Sequence, residues 1–112
     1  MKAKKPHWEI DRVKELAASG KMIMTESKAL ASFPTFDAAA AAANAVIAGL
    51  HQGIFAETLI QTTKCDVYGV KLNGKGWYLK VTIDHDPEEE LIIVSLHPLA
   101  RPLKTNTGMV MP

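Results

Sequence analysis

The chain has 112 residues, with 13 Lys and Arg against 12 Asp and Glu, and 47% of its residues are hydrophobic. That is enough for one domain with one core and too little for two, and no apolar run reaches the roughly 18 residues that a membrane-spanning helix needs. A net charge of +1 does not by itself mark a nucleic-acid binder, and the lone Cys65 excludes an internal disulfide and fits a reducing, cytoplasmic setting.

The N-terminus, MKAKKPHWEI, is basic and lacks the apolar stretch of a signal peptide. Its first residues read as a frayed basic arm. Between His7 and Ser19, Ile10, Val13, Leu16 and Ala17 recur at helical spacing, and Gly20 is placed to cap that helix. KMIMT, residues 21–25, is short and β-prone. Thr25 or Ser27 can cap a second helix through Phe33, which Pro34 then stops. Asp37 opens a further helix whose many alanines lose no side-chain entropy and allow close packing on a sheet.

After Gly53, residues 55–61 (FAETLIQ) and 64–72 (KCDVYGVKL) read as strands. Asn73-Gly74 is a strong hairpin signal, because both residues tolerate positive φ. It leads into residues 77–83, WYLKVTI, the clearest alternation in the chain. Trp77, Leu79, Val81 and Ile83 point to one face and Tyr78, Lys80 and Thr82 to the other. Residues 91–97 (LIIVSLH) alternate too, with Ile92, Val94 and Leu96 expected in the core and Ser95 and His97 on the Tyr78 face. Pairing Ile83 with Ile92 sets Tyr78 opposite His97 and Lys80 opposite Ser95, close enough for side chains to touch. By the same parity Tyr68 and Val70 face the core, and Cys65, Val67 and Lys71 share the Tyr78 face. Five of the twelve acids lie within residues 84–90, so the rest carries 13 basic against 7 acidic side chains and can attract phosphate if that loop points away. Residues 98–112 show little periodicity and read as an extended or loose tail. Helices first and a meander after make a single α+β domain over residues 1–112, with a sheet of about four antiparallel strands against N-terminal helices.

Several blocks carry a resemblance. KKPHWEIDRVKELAASGKMIMTESKAL, then GL ahead of Phe55, DVYG at residues 66–69, WYLKVTI and LIIVSL resemble, in order and spacing, the MqsR family of toxins from toxin–antitoxin pairs. The resemblance implies a RelE-like fold and a metal-independent ribonuclease that cuts mRNA without a cofactor. It also implies a cognate antitoxin with a zinc-binding and a helix-turn-helix domain. Of the residues the family uses, the tyrosine before Leu-Lys is present as Tyr78. Its lysine after the phenylalanine falls on Glu57, its glutamine before Asp-Val-Tyr on Cys65, and its C-terminal lysine on His97. The segment between Phe55 and Asp66 is shorter than the family's.

Metal-free RNA cleavage needs a base for the 2′-hydroxyl, a cation for the crowded phosphate and an acid for the leaving 5′-oxygen. His97 is a candidate acid, since histidine ordinarily titrates near neutrality. Lys80 is a point charge for the phosphate, Tyr78 a hydrogen-bond donor or stacking surface, and Glu57 a base if its strand faces the same way. Lys71, Arg101 and Lys104 are candidate RNA-backbone contacts. Each has a plainer reading as part of a solvated sheet face or tail. His85 with Asp86 has no second pair at ligand spacing, so no metal site is expected. A domain that has lost cleavage and only binds RNA or a protein partner, antitoxin-like or immunity-type, is the alternative function.

Overall fold

The computed structural model describes residues 3–25, 29–60 and 62–112. The first helix, α1 (Ile10–Ala18), buries Val13, Leu16 and Ala17, the stripe its periodicity predicts. It closes at Gly20, whose φ of +74° suits glycine. The Gly20 N–H donates to Ala17 and the Lys21 N–H to Leu16, pairing two carbonyls that a helix end leaves open. Of the expected second helix, residues 26–28 lie outside the described residues; Ala29 is helical, its N–H donating to the Thr25 carbonyl at 3.2 Å, and from Leu30 to Phe33 the chain turns instead of continuing the helix. The alanine-rich helix, α2 (Phe36–Ala48), starts one residue before Asp37, because the Thr35 hydroxyl accepts from the Ala38 N–H and caps it. Ala39 and Ala43 are fully buried beside Val46 and Ile47. Small side chains bring this helix close to the sheet.

The sheet contains β1 (Met22–Met24), β2 (Phe55–Ile60), β3 (Lys64–Leu72), β4 (Lys75–Asp84) and β5 (Glu90–Pro98), in the order β1-β5-β4-β3-β2. The expected meander runs from β2 to β5, all antiparallel. β1 adds a fifth strand, parallel to β5. Asn73 and Gly74 have φ of 53° and 77° and form the tight β3–β4 turn, with Leu72 opposite Lys75. The fold is therefore α+β: helices on one face of a mostly antiparallel sheet, with one core between the layers.

Two sequence expectations are corrected here. Ile83 pairs with Leu91, not Ile92, because a bulge shifts the register between Lys80 and Val81 and leaves Val94 as the extra residue of β5. Beyond the bulge Tyr78 does face His97 and Lys80 faces Ser95. On the near side the parity reverses, so Leu91 and Ile93 join Leu96 in the core, and Ile92 and Val94 do not. The second correction concerns the segment from Pro98 onward. Instead of a loose tail it carries a hairpin, β6 (Leu103–Thr105) and β7 (Gly108–Val110). A Cβ built on Gly69 meets Val110 Cγ2 at 2.8 Å and Thr105 Cγ2 at 3.2 Å, so the hairpin lies on the outer face of the sheet and the missing side chain makes room for it.

Asp66 is a buried carboxylate in that framework. It accepts from the His7 N–H at 3.0 Å, the Trp8 N–H at 2.8 Å and the Thr58 hydroxyl at 2.6 Å. The indole N–H of Trp8 donates to the Lys64 carbonyl. These bonds tie the start of the chain to the middle of the sheet. The acidic loop is partly turned toward the helices, since Glu89 pairs with Arg12 of α1.

Candidate functional site

The outer face of the sheet is assembled from cross-strand rows. Gly69, Tyr78 and His97 form one row, and Glu57, Val67, Lys80 and Ser95 form the next. Strand pairing thus brings all four candidate catalytic residues, Glu57, Tyr78, Lys80 and His97, onto one face. Glu57 joins them because a bulge between Phe55 and Glu57 resets the phase of β2. Phe55 faces the core, and two residues later Glu57 emerges on the wet side.

Tyr78 and His97 stack, with ring centroids 5.0 Å apart and planes 11° apart. The Nδ1 of His97 lies 2.9 Å from the Pro98 carbonyl oxygen. A carbonyl only accepts, so Nδ1 carries the proton and Nε2 is left for an external partner. The Tyr78 hydroxyl is held above its ordinary titration range by burial first, then by the negative charges of Glu57 and Cys65. It stays a neutral donor at physiological pH.

Lys80 is 9% exposed. Among the described residues no carboxylate lies within ion-pair distance of it. A lysine this buried is ordinarily paired. Glu57 and His97 stand three strands and one row apart, roughly 16 Å between backbones at the usual strand spacings, with Lys80 and Tyr78 on β4 between them.

The candidate RNA contacts are dispersed. Lys71 is exposed opposite Gly76 at the β3–β4 end of the face. Arg101 lies in the exposed connection between β5 and β6. Lys104 stands on β6 and, with Glu57, lines an open groove of about 510 Å³. Cys65 is buried, with its Sγ near the Thr63 hydroxyl. The sequence reading missed Lys4, which lines the same groove from the N-terminal arm. The basic character of that arm was the available signal, and its fixed position was not legible.

A second recess, about 540 Å³, lies toward the acidic loop and is lined by residues including Trp8, Thr82, Asp84 and His85. His51 Nδ1 accepts from the Gly53 N–H at 3.1 Å. Among the described residues no group of three or more His, Cys, Asp or Glu side chains is placed to hold a metal ion. Among them, too, no helix is long and apolar enough to cross a membrane.

Comparison with known proteins gives one match. No curated protein and no solved structure matches the chain. A family model described as motility quorum-sensing regulator, toxin of MqsA, matches residues 5–98. That span takes in α1, both rows of the outer face and all of β2 to β5, and the chain belongs to the MqsR toxin family.

Proposed function

We propose that this protein is the toxin of a type II toxin–antitoxin pair and cuts mRNA in the cytoplasm as a metal-independent endoribonuclease. The observation that carries the reading is the stacked Tyr78–His97 pair beside the largely buried Lys80, which has no ion-pair partner among the described residues. Family membership supplies the context. The scissile phosphate sits over Lys80, whose ammonium offsets the charge that builds on the non-bridging oxygens. The Tyr78 hydroxyl donates to one of those oxygens. Glu57 takes the proton of the 2′-hydroxyl, and the 2′-oxygen forms a bond to phosphorus. The bond from phosphorus to the 5′-oxygen breaks, and the proton on Nε2 of protonated His97 goes to that leaving oxygen. The products are a 2′,3′-cyclic phosphate and a free 5′-hydroxyl. An antitoxin of the MqsA kind, with a zinc-binding and a helix-turn-helix domain, holds the toxin inactive.

A long RNA incubated with the chain in excess EDTA tests this. Cleavage is expected, with the rate falling about 100-fold or more in His97→Ala. If His97→Ala and Tyr78→Phe both cut at the parent rate, the site assignment is wrong. A second reading is favoured by Glu57, Cys65 and His97, which stand where the family pattern has lysine, glutamine and lysine. Under it the domain binds RNA, or a protein partner, without cutting. Salt-sensitive RNA binding with no cleavage in EDTA selects RNA binding alone.

A further inference from the structure

The basic arm at the start of the chain is pinned along one wall of the groove beside Glu57. The Lys4 N–H donates to Asn106 Oδ1 at 2.8 Å, and Asn106 Nδ2 donates back to the Lys4 carbonyl at 2.8 Å. Gln52 Nε2 also donates to that carbonyl, at 3.1 Å. The second proton of Asn106 Nδ2 goes to the Gln52 carbonyl at 2.8 Å, so both amide protons and the oxygen of Asn106 are engaged. Its own N–H is fixed on the Phe55 carbonyl, and Thr107 is held twice on Gly53. Three and four residues further along the chain, Asp66 holds His7 and Trp8. The arm is thus anchored at two places, with Lys4 at the first of them.

This anchoring has a geometric effect. The exposed Lys4 lines the groove together with Lys104 of β6, and Glu57 links the groove to the row that contains Lys80. Among the described residues neither Lys4 nor Lys104 is ion-paired. Two ammonium groups therefore border a channel that opens beside the catalytic face, with one carboxylate where the two meet. A single strand whose sugar lies at Glu57 runs its next phosphates past these lysines.

We infer that the groove is a phosphodiester-binding subsite for single-stranded RNA, with Lys4 and Lys104 as its phosphate contacts and Asn106 as the residue that positions Lys4. The inference rests on the RNA-cleaving reading and adds where the strand leaves the site. It gives the N-terminal arm and the C-terminal hairpin, the two ends of the chain, a joint role in holding substrate.

The test uses the full chain and a labelled 2′-O-methyl oligonucleotide, which lacks the attacking hydroxyl and cannot be cut. Binding is followed by anisotropy across a potassium chloride series. Lys4→Gln and Lys104→Gln are each expected to reduce the slope of log K against log salt by about 0.7, and the double variant by about 1.4. With cleavable RNA, KM rises in these variants while kcat holds, since the lost contacts do not touch the reacting atoms. Asn106→Ala is expected to lower the slope as Lys4→Gln does, and to add nothing in the Lys4→Gln background. A merely structural Asn106 adds its own loss in that background, which overturns its positioning role. Unchanged slopes in the lysine variants of a chain that cuts RNA overturn the groove and leave the nuclease reading standing. A parent chain that binds and cuts no RNA overturns both.

Discussion

Asp66 allows the most direct check of how the fold holds its site. Its carboxylate is fully buried and accepts two backbone N–H groups and one hydroxyl, at 3.0, 2.8 and 2.6 Å. Asp66→Ala removes every acceptor and strands the His7 and Trp8 N–H groups. Each stranded donor costs about 1–3 kcal/mol, so the expected loss is about 2–6 kcal/mol. Set against the roughly 5–15 kcal/mol that holds a domain of this size folded, that is a large fraction. Asp66→Asn keeps one oxygen, and its new amide can donate to the Thr58 hydroxyl, so about one bond is lost and the cost is about 1–2 kcal/mol. Thr58→Val removes only the hydroxyl and costs about 1 kcal/mol. Urea denaturation of the three variants, followed by far-UV circular dichroism, gives the order Ala, Asn, Val from largest loss to smallest. Hydrogen exchange adds a local readout: in Asp66→Asn one of the His7 and Trp8 amides loses protection while the β3 and β4 amides keep theirs. If Asp66→Ala costs under about 1 kcal/mol, the carboxylate is not the anchor of the arm and the reasoning fails.

Four further outcomes follow from particular contacts. Among the described residues the buried Tyr68 hydroxyl has no hydrogen-bond partner, so Tyr68→Phe is expected to stabilise the fold by about 1 kcal/mol in the same urea assay. Burial and the neighbouring Asp66 raise the Tyr68 titration, and burial with Glu57 and Cys65 raises that of Tyr78. The stability their neutral forms contribute is complete below the unfolded value near pH 10 and is lost as pH rises above it. A melting series from pH 8 to 11 should therefore fall from about pH 10, less steeply in Tyr68→Phe. Gly69→Ala drives a methyl into Val110 and Thr105 and is expected to cost about 1–3 kcal/mol, with Val110→Ala in the same chain restoring most of it. Lys80→Met keeps the packed stem and removes the ammonium. Its melting temperature should hold or rise, while EDTA-resistant cleavage falls about 100-fold or more. Loss of fold and activity together would mark Lys80 as structural.

The residues by themselves determined whatever depends on neighbours a few positions away. Alternation across residues 77–83 settled which side chains of β4 face away from the helices, because successive strand residues must point to opposite faces. Asn73-Gly74 marked the hairpin and Gly20 the end of α1, since positive φ is cheap at glycine and tolerated at asparagine. The ordered short blocks were enough to mark the family that the comparison finds over residues 5–98. Tertiary structure alone decided the phase of β5. An unbroken LIIV run reads equally well with either parity, and only pairing against β4 decides that Val94 bulges and that Leu91 and Ile93 enter the core. The partners of Asp66 lie 59 and 58 residues away, and Asn106 meets Lys4 across 102. The seat of the hairpin on Gly69 is likewise a matter of what a missing side chain leaves open. Such contacts arise from space filling and from the need of buried donors for acceptors, and neither has a signature in local spacing.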